Sequence, residues 1–255
     1  MPMHSSRRWL AVTLASVLLA SIPALAMASH AWGGYHWART ANPFTLQLGD
    51  NVSSAWDSYL AEASTDWTAS SVLDTTVVAG RAKPRNCRPT AGRVEVCNAT
   101  YGNTGWLGVA QIWISGGTHI TQGIVKVNDT YFNSSAYNTP AWRRLVMCQE
   151  IGHTFGLDHQ DEAFDNPNLG TCMDYTNDPD GPPSNEHPNT HDYQQLEAIY
   201  AHLDSTSTVG ATVTSGTPLN GADWGREVSS SRGGSTFVRS DRHGNALVTF
   251  VIWVR

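Results

Sequence analysis

The sequence predicts an α+β fold in which strands gather early, a long helix comes late and a β-hairpin closes the chain. Three observations predict it. Apolar runs of strand character at 44–48, 72–79, 106–114 and 120–127 are interrupted by one amphipathic helical stripe. A second helix pattern starts at Thr139-Pro140, after most of the strands. The strongest strand pattern of all, 246–253, lies beyond a Ser/Thr/Gly-rich stretch near the end.

The chain opens with Arg7-Arg8, an apolar run over 9–25 and Ala26-Met27-Ala28. That reads as a signal peptide over residues 1–28, cleaved before Ser29. A membrane anchor is the alternative, but the run is short and broken by Ser16, Ser21 and Pro23. The expected protein is therefore secreted or extracytoplasmic, with no membrane contact after cleavage. Removing the leader takes two arginines and no acids, leaving 14 cations against 22 acids, a net −8. With Lys83 and Lys126 its only lysines, the chain has the wrong charge for a nucleic-acid binder, and that class is set aside. The expected organisation is one domain over 29–204, a linker over 205–218 and a β tail over 219–255, acting as a monomer.

Aromatic residues crowd 31–37, and 44–48 alternates as a half-buried strand does. Ser54 and Asp57 make a capping-box start for a helix running to about Trp67. Its Trp56, Leu60, Ala63 and Trp67 form a core-facing stripe. The β-branched run 72–79 is the next strand. Two more, 106–114 and 120–127, are separated by Ser115-Gly116-Gly117. Thr139 is an N-cap with Pro140 at N1, and the helix it starts carries Trp142, Val146, Gln149 and His153 on one face. A final helix begins near Thr190, with Tyr193, Leu196, Ile199 and Tyr200 as its apolar side. In the tail, 235–238 is expected to pair with 246–253 across 241–245, either packed on the main sheet or as a small attachment module.

The chemistry concentrates in Gln149-Glu150-Ile151-Gly152-His153-Thr154-Phe155-Gly156-Leu157-Asp158-His159. Positions i and i+4 share a helix face, so Gln149 and His153 project side by side with Glu150 next to them. Gly156 lets the chain leave the helix in a conformation closed to most residues, and His159 then swings back. The stretch resembles the H-E-x-x-H-x-x-G-x-x-H motif of the metzincin zinc metalloproteases, with Gln149 in place of the first His. Thr171-Cys172-Met173-Asp174-Tyr175, with Met173 14 residues beyond His159, resembles the Met-turn of the same superfamily. The likeness is to the bacterial matrixin-like families, with the Tyr after the turn closer to the astacin and serralysin branches.

The resemblance implies a twisted mixed sheet, an active-site helix, a Met-turn and a C-terminal helix, covering about residues 40–204. It implies zinc as cofactor, Gln149, His153 and His159 as metal ligands, and Met173 as an apolar floor beneath them. Glu150 takes the general-base role towards a water polarised by the metal, and Tyr175 is an extra metal ligand or an oxyanion donor. The substrate is a protein or peptide chain lying along the sheet edge above the helix. Helix and Met-turn are in contact in metzincins, which among the three pairings four cysteines allow favours Cys148–Cys172, and so Cys87–Cys97 closing a short hairpin. Cys148 and Cys172 as soft metal ligands are the alternative. No cysteine lies between Ser29 and the first strand, so a matrixin-type cysteine switch is not expected.

Gln149 offers only a neutral amide oxygen, and three readings stay open. It ligates directly, or His119 or His36 completes the shell, or the site is degenerate and the protein is a secreted binding protein on the same scaffold. Calcium is a further candidate at Asp161, Glu162, Asp174, Asp178 and Asp180, though their spacing fits no calcium loop.

Overall fold

The structure, a computed structural model, describes Met1, residues 30–212 and residues 219–255. The segment read as a signal peptide, and residues 213–218 of the linker, lie outside the described residues. The fold is mixed α+β. Its first strands are β1 (His36–Trp37), β2 (Phe44–Asn51), β3 (Leu73–Ala79) and β4 (Val94–Ala99). The antiparallel pair β5 (Trp106–Ser115) and β6 (His119–Asn128) follows, and the tail supplies β7 (Arg226–Ser230), β8 (Gly234–Ser240) and β9 (Ala246–Trp253).

All nine join one sheet in the order β3-β2-β4-β6-β5-β9-β8-β7, with β1 beside the start of β6. The β3-β2-β4-β6 half is parallel, and everything from β5 outward is antiparallel. β5 is buried along nearly its whole length. It therefore reads as a continuous apolar run without a two-residue period, as strands covered on both faces do.

Among the described residues four helices accompany the sheet: α1 (Asp57–Thr68), the single turn α2 (Asp129–Phe132), α3 (Pro140–His153) and α4 (Thr190–Ile199). The core lies between sheet and helices, with Trp37, Trp56 and Trp67 fully buried. Trp67 Nε1 of α1 donates to the Cys148 carbonyl of α3 at 3.1 Å, locking the two helices together. α4 starts with a complete capping box between Asn189 and Asp192. No helix among the described residues is long and apolar enough to cross a membrane.

Two local expectations are corrected. The capping box at Ser54 and Asp57 does not form: α1 begins at Asp57, with Trp56 at the N-cap position and no side-chain cap bond. Packing sets the helix entry instead, because Trp56 is fully buried with its Nε1 donating to Asp129 Oδ1 at 2.8 Å. Cys87 and Cys97 are bonded, but the segment between them is not a hairpin. β4 pairs in parallel with β2 and β6, so the disulfide ties a preceding loop to a central strand.

Candidate metal centre

α3 carries the candidate ligands, and its sequence fixes where they stand. Thr139 Oγ1 accepts from the Trp142 N–H at 3.3 Å, and Pro140 occupies the first turn, where no N–H is needed. Near the other end, a Cβ on Gly152 would stand 2.7 Å from Met173 Sδ and from the Trp67 ring. Glycine thus lets Met173 press against the helix one residue before His153. Gly156 has φ +96°, and a Cβ there would meet the Tyr35 carbonyl oxygen at 2.1 Å. Only glycine satisfies both the backbone and the space. The turn it makes brings His159 back until its Nε2 is 3.0 Å from His153 Nε2.

The hydrogen bonds around these side chains leave acceptors facing inward. His153 Nδ1 is 2.9 Å from the Leu157 carbonyl oxygen, which can only accept, so Nδ1 carries the proton and Nε2 a lone pair. His159 Nδ1 faces the carboxylates of Asp158 at 3.5 Å and Glu162 at 3.6 Å, and its Nε2 points inward to His153. Two ring nitrogens 3.0 Å apart need a proton or a metal ion between them. Gln149 Nε2 donates to the Cys172 carbonyl at 2.8 Å, which fixes the amide orientation and leaves Oε1 buried without a partner. Burial, with the neighbouring His159, pushes His153 down to about 3. Burial acts in the same direction on His159, but Asp158 and Glu162 outweigh it and raise that imidazole.

Glu150 packs on the other side, against β5. Burial pushes its carboxyl well above the usual carboxylate range, opposed by a hydrogen bond with the Ala110 backbone, and Oε2 has no partner. Gly108 makes room, since a Cβ there would stand 2.4 Å from Glu150 Oε1. The donor types present are those a cation of zinc's type takes: two imidazole nitrogens 3.0 Å apart and a buried amide oxygen without a partner, with the Glu150 carboxyl next along the helix.

The C-terminal segment covers this centre. β9 runs antiparallel along β5 from Trp106↔Trp253 to Ile114↔Ala246. Its Phe250 ring stacks on His153, centroids 4.2 Å apart and planes 2° from parallel. Main chain at Gly234 abuts the Tyr175 hydroxyl, where a Cβ would stand 1.4 Å away, and Gly233 leaves the same room for Phe164. Phe164 in turn stacks on Tyr175 at 5.1 Å, and Tyr175 lies 4.1 Å from the His159 ring. The consequence is complete closure: Gln149, Glu150 and His153 are at most 1 % exposed, Tyr175 2 % and His159 8 %. The sheet edge expected to receive a substrate is thus occupied by the chain itself.

His153, His159 and Tyr175 are brought together; Met173 packs at Gly152 of the same helix, Gln149 bonds the Cys172 carbonyl, and Glu150 faces Gly108 of β5. Cys148 and Cys172 are joined to each other, so they are not metal ligands. His36 and His119 lie elsewhere, beside Asp204 and His202. Asp161 and Asp174 are bridge partners, but among the described residues no three of the acids considered for calcium come within reach of one ion. Asp161 accepts from Ala163 N–H and Asn166, and Asp174 from Leu169 N–H and Asn185. Sequence reasoning missed Phe250, Phe164 and the Cys172 carbonyl; aromatic residues at strand spacing carry no signal of which strand they will face.

No family model matches the chain, and no curated protein matches its sequence. Among solved structures, it is similar to the high choriolytic enzyme 1, a hatching-enzyme zinc protease of Oryzias latipes (medaka fish). The similarity has a TM-score of 0.37 at 9 % identity, covering 67 % of this chain and 96 % of the other.

Proposed function

We propose that the chain is an exported zinc-dependent endopeptidase, held closed by its own C-terminal segment. One observation carries the reading: Gln149 Oε1 is buried without a partner on the helix face of His153, whose Nε2 meets His159 Nε2 at 3.0 Å, a pair that a proton or a cation has to bridge. Gln149 thereby reproduces what a histidine does there, with Nε2 bonding the protein and Oε1 facing the metal. Two disulfides agree with an oxidising compartment.

When bound, zinc supplies Lewis acidity, polarising a peptide carbonyl and acidifying water. Glu150 is the proton carrier: once the tail is displaced and water readmitted, burial no longer holds its carboxyl protonated, and as a carboxylate it accepts the proton of the attacking water and delivers it to the leaving amine. Tyr175 donates to the carbonyl oxygen as charge develops there; its hydroxyl already abuts main chain at Gly234. An extended peptide adds to β5 in the position β9 now holds, with main-chain hydrogen bonds giving affinity.

Closure of the site equally supports a catalytically silent binding protein, and one experiment separates the two. Phe250→Ala in the zinc-loaded full chain is assayed on a quenched casein substrate, with Phe250→Ala/Glu150→Gln as control. Hydrolysis that requires Glu150 supports the peptidase. A folded, zinc-loaded Phe250→Ala protein that cleaves nothing supports the binding protein.

A further inference from the structure

A second cluster of metal-ligating side chains lies apart from α3. His36 of β1 and His119, the first residue of β6, are register partners. Their rings meet edge-on at 5.1 Å. Asp204 and His202 come from the segment after α4, which Arg39 fastens in place: its guanidinium donates to the carbonyls of Tyr200 and His202, and its carbonyl accepts from the Asp204 N–H. Three stretches far apart in sequence therefore deliver four donor-bearing side chains to one point.

The donor atoms face each other. Asp204 Oδ1 lies 3.2 Å from His119 Nε2, 3.5 Å from His36 Nε2 and 3.7 Å from His202 Nε2. His202 Nε2 is 3.1 Å from His36 Nε2. Four ligands about 2.0–2.1 Å from a tetrahedral zinc stand roughly 3.3 Å apart; His36, His119 and Asp204 lie within mutual reach of one ion, and His202 Nε2 adjoins His36 and Asp204. The remaining atoms are already employed. His36 Nδ1 is 2.9 Å from the Gly34 carbonyl oxygen, which makes it the donor and leaves Nε2 a lone pair. Asp204 Oδ2 accepts from Arg39 Nη1 at 2.9 Å and from the Arg39 N–H at 3.2 Å, leaving Oδ1 free for the histidines. His36 is buried, whereas His119 and His202 are partly open, so an ion has a path in.

We propose that His36, His119, His202 and Asp204 form a second zinc site, structural in character and independent of the centre on α3. His36, His119 and Asp204 supply three ligands and His202, turning in from the surface, the fourth, so that protein fills the shell as it does around structural zinc. The ion cross-links β1, β6 and the end of the helical region, near residue 205 where the linker to the tail begins.

The test counts zinc in the oxidised full chain by elemental analysis, after equilibration with zinc and dialysis against a weak chelator. His36→Gln/His119→Gln is expected to lose one equivalent that His153→Ala retains. Because variants, not totals, assign the metal, a chain whose α3 centre stays empty still answers the question. Asp204→Asn, which keeps an oxygen for Arg39, is expected to lose the same equivalent and covers the case in which the double variant fails to fold. Zinc should also raise the melting temperature of His153→Ala/His159→Ala, and cease to do so when His36→Gln/His119→Gln is added. A zinc count unchanged by both His36→Gln/His119→Gln and Asp204→Asn overturns the proposal.

Discussion

Phe250 lies flat on His153, ring centroids 4.2 Å apart and planes 2° from parallel. One residue belongs to the last strand of the chain and the other to the helix that carries the metal centre. The tail is thus part of the packing around the proposed metal site, and its aromatic ring closes one face of His153.

Phe250→Ala should loosen the cover. Deleting a buried phenylalanine costs about 3–5 kcal/mol. Where about 3 kcal/mol of that falls on the tail's docking, the open population rises about a hundredfold. Hydrolysis should rise with it, measured at saturating zinc alongside urea unfolding. A lower stability with no gain in rate would remove the tail as the controlling cover.

Glu150→Gln keeps the shape of the side chain and removes the base. Peptide hydrolysis in a loosened-tail background should fall by about 10²–10⁴-fold, while zinc content stays the same. Unchanged hydrolysis would take Glu150 out of the mechanism.

Gln149→His should tighten zinc binding, because imidazole is a better donor to zinc than an amide oxygen. Gln149→Ala should weaken it, and also cost about 1–3 kcal/mol of stability by leaving the Cys172 carbonyl unpaired. Competition against a chromophoric chelator reads both. Equal affinities across the series would mean that position 149 is outside the shell.

Cys148→Ala/Cys172→Ala opens a loop spanning 24 residues of sequence, a loss of about 3–4 kcal/mol on the chain-entropy account. Zinc affinity should fall too, since the carbonyl that orients Gln149 belongs to Cys172. Denaturant midpoints and zinc competition on the same samples separate the two effects.

Glu95 makes stability depend on acidity. Burial alone would raise its carboxyl, but hydrogen bonds from Thr90, Asn51 and the Arg81 N–H, with Arg93, hold it below the usual range. Asn51 Nδ2 lies at 2.6 Å, and Arg93 Nε forms an ion pair with it at 2.8 Å. A carboxyl depressed in the fold contributes stability above its unfolded value, about 4.3, and loses it as pH falls through the folded value. The urea midpoint of the native chain should therefore drop more between about pH 5 and about pH 3 than that of Glu95→Gln. Parallel profiles would contradict this.

How much of this could be read beforehand depended on how local each cause is. α3 was legible because Thr139, Pro140 and the stripe ending at His153 all lie within one helix. The role of Gly156 was legible because its backbone conformation is a local requirement. β4 was hidden: it is buried on both faces and shows no alternation. The start of α1 was misread because burial of Trp56 overrode the local cap. The cluster of His36, His119, His202 and Asp204 has no sequence spacing to recognise, since β1–β6 pairing and Arg39 assemble it from distant segments. The pairing of β9 with β5 was equally invisible, as alternation identifies a strand but not its neighbour.

The central claim is that Gln149, His153 and His159 hold a metal ion, and zinc content per chain tests it most directly. The oxidised full chain should carry an equivalent of zinc that is lost in His153→Ala and retained in His36→Gln/His119→Gln. A zinc content identical with and without His153→Ala, in protein of native secondary structure, would contradict it.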